Sequence, residues 1–177
     1  VSTPGQTIGP FYGYALPYPG DADLVAPGRP GAVRLHGQVC DGAGDPVPDA
    51  LLEIWQADPS GRVVTEPGSL RRDGWTFTGW GRAATDGAGH YSFTTLEPGP
   101  TEPGRPGFWA MTVFARGLLD RLFTRAYLPS ASALTDPLLA ALPADRRGTL
   151  IAVRDEHGLR FDVRLQGEAE TVFLAHR

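Results

Sequence analysis

Short apolar runs separated by turns make up most of the chain. Val33, Leu35 and Val39 alternate with Arg34, His36 and Gln38, which predicts a strand with one buried face. Leu51–Trp55 predicts a second strand, stopped by Asp58-Pro59-Ser60-Gly61. Trp75–Thr78 reads as a short third strand, and His90–Leu96 as a fourth after the glycine-rich turn Thr85–Gly89. Phe108–Phe114 is apolar nearly throughout, as expected of a strand buried on both faces. Arg121–Leu128 follows and ends at Pro129. Leu150–Val153 and Leu159–Leu165 flank Asp155-Glu156-His157-Gly158, a hairpin signal in which Phe161, Val163 and Leu165 take the buried face. One helix is expected: Asp136 caps it, Pro137 opens it, and Leu138, Leu139 and Leu142 form its apolar side.

The first thirty residues differ. Thr3–Tyr14 mixes turn residues with aromatics and has neither period 2 nor period 3.6. It reads either as a frayed terminus or as an arm laid over another surface, since Phe11, Tyr12, Tyr14 and Tyr18 are costly to leave in water. The division expected is an arm over 1–32, packed on a partner chain, and a sandwich domain over 33–177.

Composition narrows the chemistry. A chain of 177 residues with 41% hydrophobic and 20% charged residues can build one full core. Its 23 glycines and 17 prolines lie between the apolar runs, as in a sandwich or barrel. The net charge of −4 offers no basic stripe for nucleic acid. Every basic residue other than histidine is Arg, so no lysine is present for Schiff-base or phosphate-loop chemistry. The lone Cys40 excludes an intrachain disulfide. No signal peptide and no membrane-spanning run are visible, so the expected location is the cytoplasm.

Candidate catalytic groups are sparse. His36, His90, His157 and His176 share no close ligand spacing and read as surface histidines. Cys40 lies four residues after His36, on the same side of a strand, so a Cys–His pair is conceivable; a cysteine filling a small apolar site is commoner. No G-x-S-x-G is present. Arg116 follows directly on the most apolar strand, where it either pairs with an internal carboxylate or offers its fork to an anionic ligand. Any chemistry served by this chain is therefore expected to be completed by a partner.

Several segments together resemble the intradiol ring-cleaving dioxygenases. They are Val39–Ala50 with Leu52–Gly61, Gly81-Arg82 with Thr85–Phe93, and Leu96–Gly99. Thr3–Phe11 resembles the opening of the family's two-chain members, and Arg160–Phe173, Phe114–Gly117 and Thr124-Arg125 resemble their α subunit. The resemblance implies an all-β fold, a β-sandwich of pre-albumin-like type with an extended N-terminal arm and one short helix. It also implies that a β subunit holds iron(III) through two Tyr and two His. The corresponding places in this chain hold Val63 (beside Arg62), Thr101, Phe108 and Ala110. No metal ligand and no catalytic residue are therefore expected here. What the resemblance implies instead is a sister chain that completes the β subunit's pocket with Thr7, Gly9, Pro10 and Phe11 of the arm and with Arg116. Phe11 stands where a Tyr is usual. The complex would use O₂ to open a dihydroxylated aromatic ring between its two hydroxylated carbons. A stand-alone binding module and an independent metalloenzyme with unusual ligands are the competing readings.

Overall fold

The computed structural model describes residues 7, 9 and 11–175; the side chain of residue 134 is not described. Pro10 and His176 lie outside the described residues. Among the described residues nine strands form two sheets. The strands are β1 (Ala32–Cys40), β2 (Leu51–Gln56), β3 (Trp80–Ala84), β4 (His90–Leu96), β5 (Phe108–Phe114), β6 (Leu122–Tyr127), β7 (Val153–Asp155), β8 (Gly158–Arg160) and β9 (Val163–Arg164). The first sheet has the order β4-β1-β8-β7, with β9 also on β1; the second has the order β3-β2-β5-β6. β1 runs antiparallel to β4 and parallel to β8 and β9.

The sheets meet because each strand buries alternate residues. Leu35 and Val39 of β1, Tyr91 and Phe93 of β4, and Leu159 of β8 share one core with Leu52 and Ile54 of β2 and with Trp109, Met111 and Val113 of β5. β5 differs from its expected form: Trp109, Met111 and Val113 are buried, but Ala110 between them is exposed and Phe108, Thr112 and Phe114 are half-buried. Only one of its faces is in the main core; the other is partly covered, Phe108 packing with Tyr127, Leu139 and Leu150 in a second cluster and Phe114 beside Tyr12. Trp75–Thr78 is not a strand. Asp73 there accepts hydrogen bonds from Trp75 N, Thr76 N and Thr76 Oγ1, which curls the chain into a turn, and pairing with β2 begins at Trp80.

The run Leu159–Leu165 is interrupted. Phe161 N donates to His36 O at 2.7 Å, Tyr91 Oη donates to Phe161 O at 2.5 Å, and Gln38 N donates to the Asp162 side chain at 3.1 Å. A Cβ on Gly37 would lie 2.0 Å from Phe161 O, so only glycine lets the interrupted strand approach β1 there. Three single-turn helices occur instead of one: α1 (Tyr12–Ala15), α2 (Pro137–Ala141) and α3 (Ala144–Arg147), with 3₁₀ turns at Ala131–Thr135 and Gly148–Leu150. α2 is the expected one, with Asp136 accepting from Leu138 N and Leu139 N and Leu139 buried beneath it.

From Tyr12 to Val25 the segment read as an arm sits on this chain's own sandwich. Leu24 belongs to the main core, and Leu24 N donates to Thr94 O at 2.8 Å. Arg82 Nη1 donates to Leu16 O, and Arg72 donates to the carbonyls of Gly20 and Asp21. Arginine suits this task, because its five N–H groups satisfy several main-chain carbonyls of an irregular segment at once.

One side chain joins the two sheets. Gln56 on β2 is 2% exposed, and its amide oxygen accepts from Trp109 Nε1 at 2.8 Å and from the hydroxyl of Thr95 on β4. Its amide nitrogen donates to Leu96 O at 2.9 Å and to Ala57 O at 3.2 Å. Gln56→Leu keeps the volume but leaves these partners buried and unpaired. It should cost about 2–4 kcal/mol in urea unfolding, well beyond the effect of an exposed substitution such as Thr65→Ala.

Candidate functional site

The loops that carry the quoted motifs cross in two places. At the first, the turn after β2 meets the segment before β5. Asp58 organises that turn: its carboxylate accepts from Ser60 N (2.9 Å), Ser60 Oγ (2.6 Å), Arg62 N (3.0 Å) and Arg62 Nε (3.1 Å). Asp58 O also receives Gly61 N and Gly99 N, both at 2.9 Å. Cβ atoms added at Gly61 and Gly99 would lie 2.0 Å from Pro100 O and 2.4 Å from Pro59 O, so the two backbones touch where neither can carry a side chain. Val63, Thr101, Phe108 and Ala110 consequently line one pocket of about 140 Å³, together with Trp55 and Gln56. The four positions that the resemblance singles out thus converge. Phe108 is fixed there by the Arg125 guanidinium, 4.3 Å above its ring, and by the tilted ring of Tyr127 at 5.4 Å.

This donor set does not fit iron. Val63, Phe108 and Ala110 have no atom that can bind a metal, and Thr101 offers one hydroxyl where two phenolates and two imidazoles would be needed.

At the second crossing, the turn before β2, the loop after β5 and the segment after β9 enclose an open cavity of about 470 Å³ lined by Asp41, Asp49, Arg116, Leu118 and Gln166. Arg116 forms an ion pair with Asp49 through Nη2, with 65% of the Arg116 side chain exposed and 26% of the Asp49 side chain. Of the two readings offered for Arg116 the structure shows the first, a pair with a carboxylate of its own chain, while most of its side chain is exposed. Tyr12 Oη donates to Asp49 O at 2.6 Å, and the Tyr12 ring lies 6.2 Å from that of Phe114. Burial first, and then the Asp49 charge, push the Tyr12 phenol up to about 12 against the opposing Arg116 charge, so the hydroxyl stays a donor at neutral pH. Tyr12 immediately follows Phe11 in the sequence. Thr7, Gly9 and Phe11 are exposed, Phe11 by 80%, and a Cβ on Gly9 would meet nothing within 4 Å. Sequence reasoning missed Asp49 and Tyr12, although Asp49 stands inside a quoted motif.

The two crossings lie at opposite ends of β2 and β5, and the remaining candidates separate from both. His36, His90 and His157 line one open cleft of about 480 Å³ on the outer face of the first sheet, a convergence that their sequence spacing conceals. His36 Nε2 lies 3.2 Å from Asp155 Oδ1, and the His36 and His157 rings are 6.2 Å apart. Among the described residues no group of three or more His, Cys, Asp or Glu can hold a metal ion. Cys40 is half-buried, and burial pushes its thiol up against the opposing charge of Arg164, the reverse of what a nucleophile needs. Among the described residues no helix is long and apolar enough to cross a membrane.

Comparison with known proteins gives the family. Residues 9–167 match a family described as Dioxygenase. The catechol 1,2-dioxygenase of Pseudomonas arvilla C-1 superposes with a TM-score of 0.56 at 25% identity, over 84% of this chain and 56% of that one. The chain belongs to the intradiol ring-cleavage dioxygenase family. Within it, the chain is 39% identical to the protocatechuate 3,4-dioxygenase alpha chain of Burkholderia cepacia, over 97% of this chain and 96% of that one. It is 33% identical to the beta chain from the same organism, over 92% and 78% of the two chains.

The Asp58 turn gives a pH test. Its hydrogen bonds, that of the Ser60 hydroxyl foremost, hold the carboxyl down at about 2, from an ordinary 3.8. A carboxylate more acidic in the folded chain than in the unfolded one stabilises fully above its unfolded value, and that contribution is lost as pH falls through its folded value. Asp58→Asn should therefore flatten part of the decline in urea midpoint between about pH 4 and pH 2, measured by circular dichroism.

Proposed function

We propose that this chain is the non-catalytic α-type subunit of a protocatechuate 3,4-dioxygenase, completing the pocket of an iron(III)-binding β subunit. The complex cleaves 3,4-dihydroxybenzoate between its hydroxylated carbons and incorporates O₂ to give 3-carboxy-cis,cis-muconate. The observation that carries this reading is the pairing of end-to-end similarity to α chains with a pocket at Val63, Thr101, Phe108 and Ala110 that lacks a ligand set. Similarity to a β chain from the same organism supports an assembly of two related chains.

In this reading the iron belongs to the partner and supplies the oxidative chemistry. This chain supplies shape and charge. Thr7, Gly9, Pro10 and Phe11, with the sandwich of pre-albumin-like type behind them, form a wall for the flat ring, and glycine allows the backbone to approach it closely. Arg116 opposes the negative charge of the bound aromatic anion and of the oxygenated intermediate that follows. Phe11 contributes a ring face without a hydroxyl. The segment from Tyr12 to Val25, seated on this chain's own sandwich, anchors this wall, and a reducing cytoplasm suits a chain with one free thiol.

Co-expression with the iron-binding chain tests the assignment. A stable 1:1 complex with turnover of 3,4-dihydroxybenzoate is expected; a lone monomer, or stoichiometric iron in this chain purified alone, would overturn it. Within the complex, Arg116→Ala should lower turnover about tenfold or more, measured by O₂ uptake.

A further inference from the structure

This inference rests on the reading of Arg116 as part of the shared pocket and goes one residue deeper. Among the described residues the Arg116 guanidinium has one ion-pair partner, the carboxylate of Asp49. That contact is made at Nη2, and the two bidentate edges of a guanidinium, Nε–Nη2 and Nη1–Nη2, use different hydrogens of Nη2, so one edge stays free on a side chain that is 65% exposed. A guanidinium with one edge held and the other open is preset for two parallel hydrogen bonds to a carboxylate. Asp49 is itself held. It lies in the turn that leads into β2; its main-chain carbonyl accepts the Tyr12 hydroxyl at 2.6 Å, and the next residue, Ala50, donates its N–H to Thr85 Oγ1 at 2.9 Å. The carboxylate that orients Arg116 thus stands on a backbone fixed from both sides, one of them the segment that continues from Thr7–Phe11.

We infer that Asp49 is a positioning residue that presents the free edge of Arg116 to the ring carboxylate of the substrate, and that Tyr12 ties this presentation to the seating of the arm. An exposed ion pair of this kind adds little to folding stability, so its consequence falls on recognition. Without Asp49, Arg116 must be ordered by the ligand at the moment of binding. Immobilising one long side chain weakens binding by roughly two- to tenfold. Only ligands that use the guanidinium are affected.

The test measures dissociation constants by calorimetry on the assembled complex without O₂, for 3,4-dihydroxybenzoate and for catechol, which lacks the carboxylate. Asp49→Ala should weaken the first relative to the second by roughly two- to tenfold. Asp49→Asn, whose side-chain oxygen still accepts from Nη2, should restore the ratio. Arg116→Ala should abolish the preference for the carboxylated ring. If Arg116→Ala abolishes it and Asp49→Ala leaves it intact, the role of Asp49 is refuted while that of Arg116 stands. Equal weakening of both ligands by Asp49→Ala refutes it too, since that marks a general disturbance of the pocket. If Arg116→Ala leaves the preference intact, the placement of Arg116 in the pocket fails first.

Discussion

Two sheets that share only apolar side chains can slide over one another at small cost, because hydrophobic contact is non-directional. The Gln56 amide removes that freedom here. It accepts from Trp109 within its own sheet and from Thr95 across the core, and donates to the Leu96 carbonyl at the end of β4. The two partners on β4, the Thr95 hydroxyl and the Leu96 carbonyl, fix the register between the layers, and a shift by one residue would strand them in the interior. Gln56 also lines the pocket of Val63, Thr101, Phe108 and Ala110, so the group that aligns the sheets aligns the loops at that end.

From this constraint follows the division of labour along the chain. The core is paired and apolar, while the candidate site is built from loop residues whose positions are set by hydrogen bonds to main-chain atoms. Asp58 organises one turn and touches the strand segment that precedes β5 through its carbonyl. Asp49 lies in another turn and meets Arg116 and Tyr12 from opposite sides, one through its carboxylate and one through its carbonyl. In both cases a single aspartate joins segments remote in sequence, a frequent use of this residue in turns.

The sandwich was legible from period-2 patterning, because burial on one face leaves its mark in every second residue. Leu35 and Val39 in β1 and the cap at Asp136 fall where that pattern puts them. The errors have local causes. Phe108–Phe114 reads as buried on both faces because apolar residues also line the outer surface of the second sheet, and composition does not distinguish a fully covered face from a partly covered one. Trp75–Thr78 has strand propensity, but the Asp73 carboxylate offers its N–H groups a nearer acceptor than any strand does. Of the site, Arg116 and the ligand-poor positions were legible through resemblance. The gathering of His36, His90 and His157 was not, because β1, the start of β4 and the β7–β8 turn approach only after the sheet forms.

The crossing of backbones at Gly61 and Gly99 has an implication for how such a pocket arises. In this chain the two loops are locked together by Asp58 O and by glycine-to-carbonyl contact, with no donor set among the four side chains they present. The cradle is thus a property of the main chain, and its cargo is a property of four substitutable side chains. A duplicated copy could surrender its ligands one at a time without losing its shape. Divergence of function and retention of architecture are, at this spot, physically separate events.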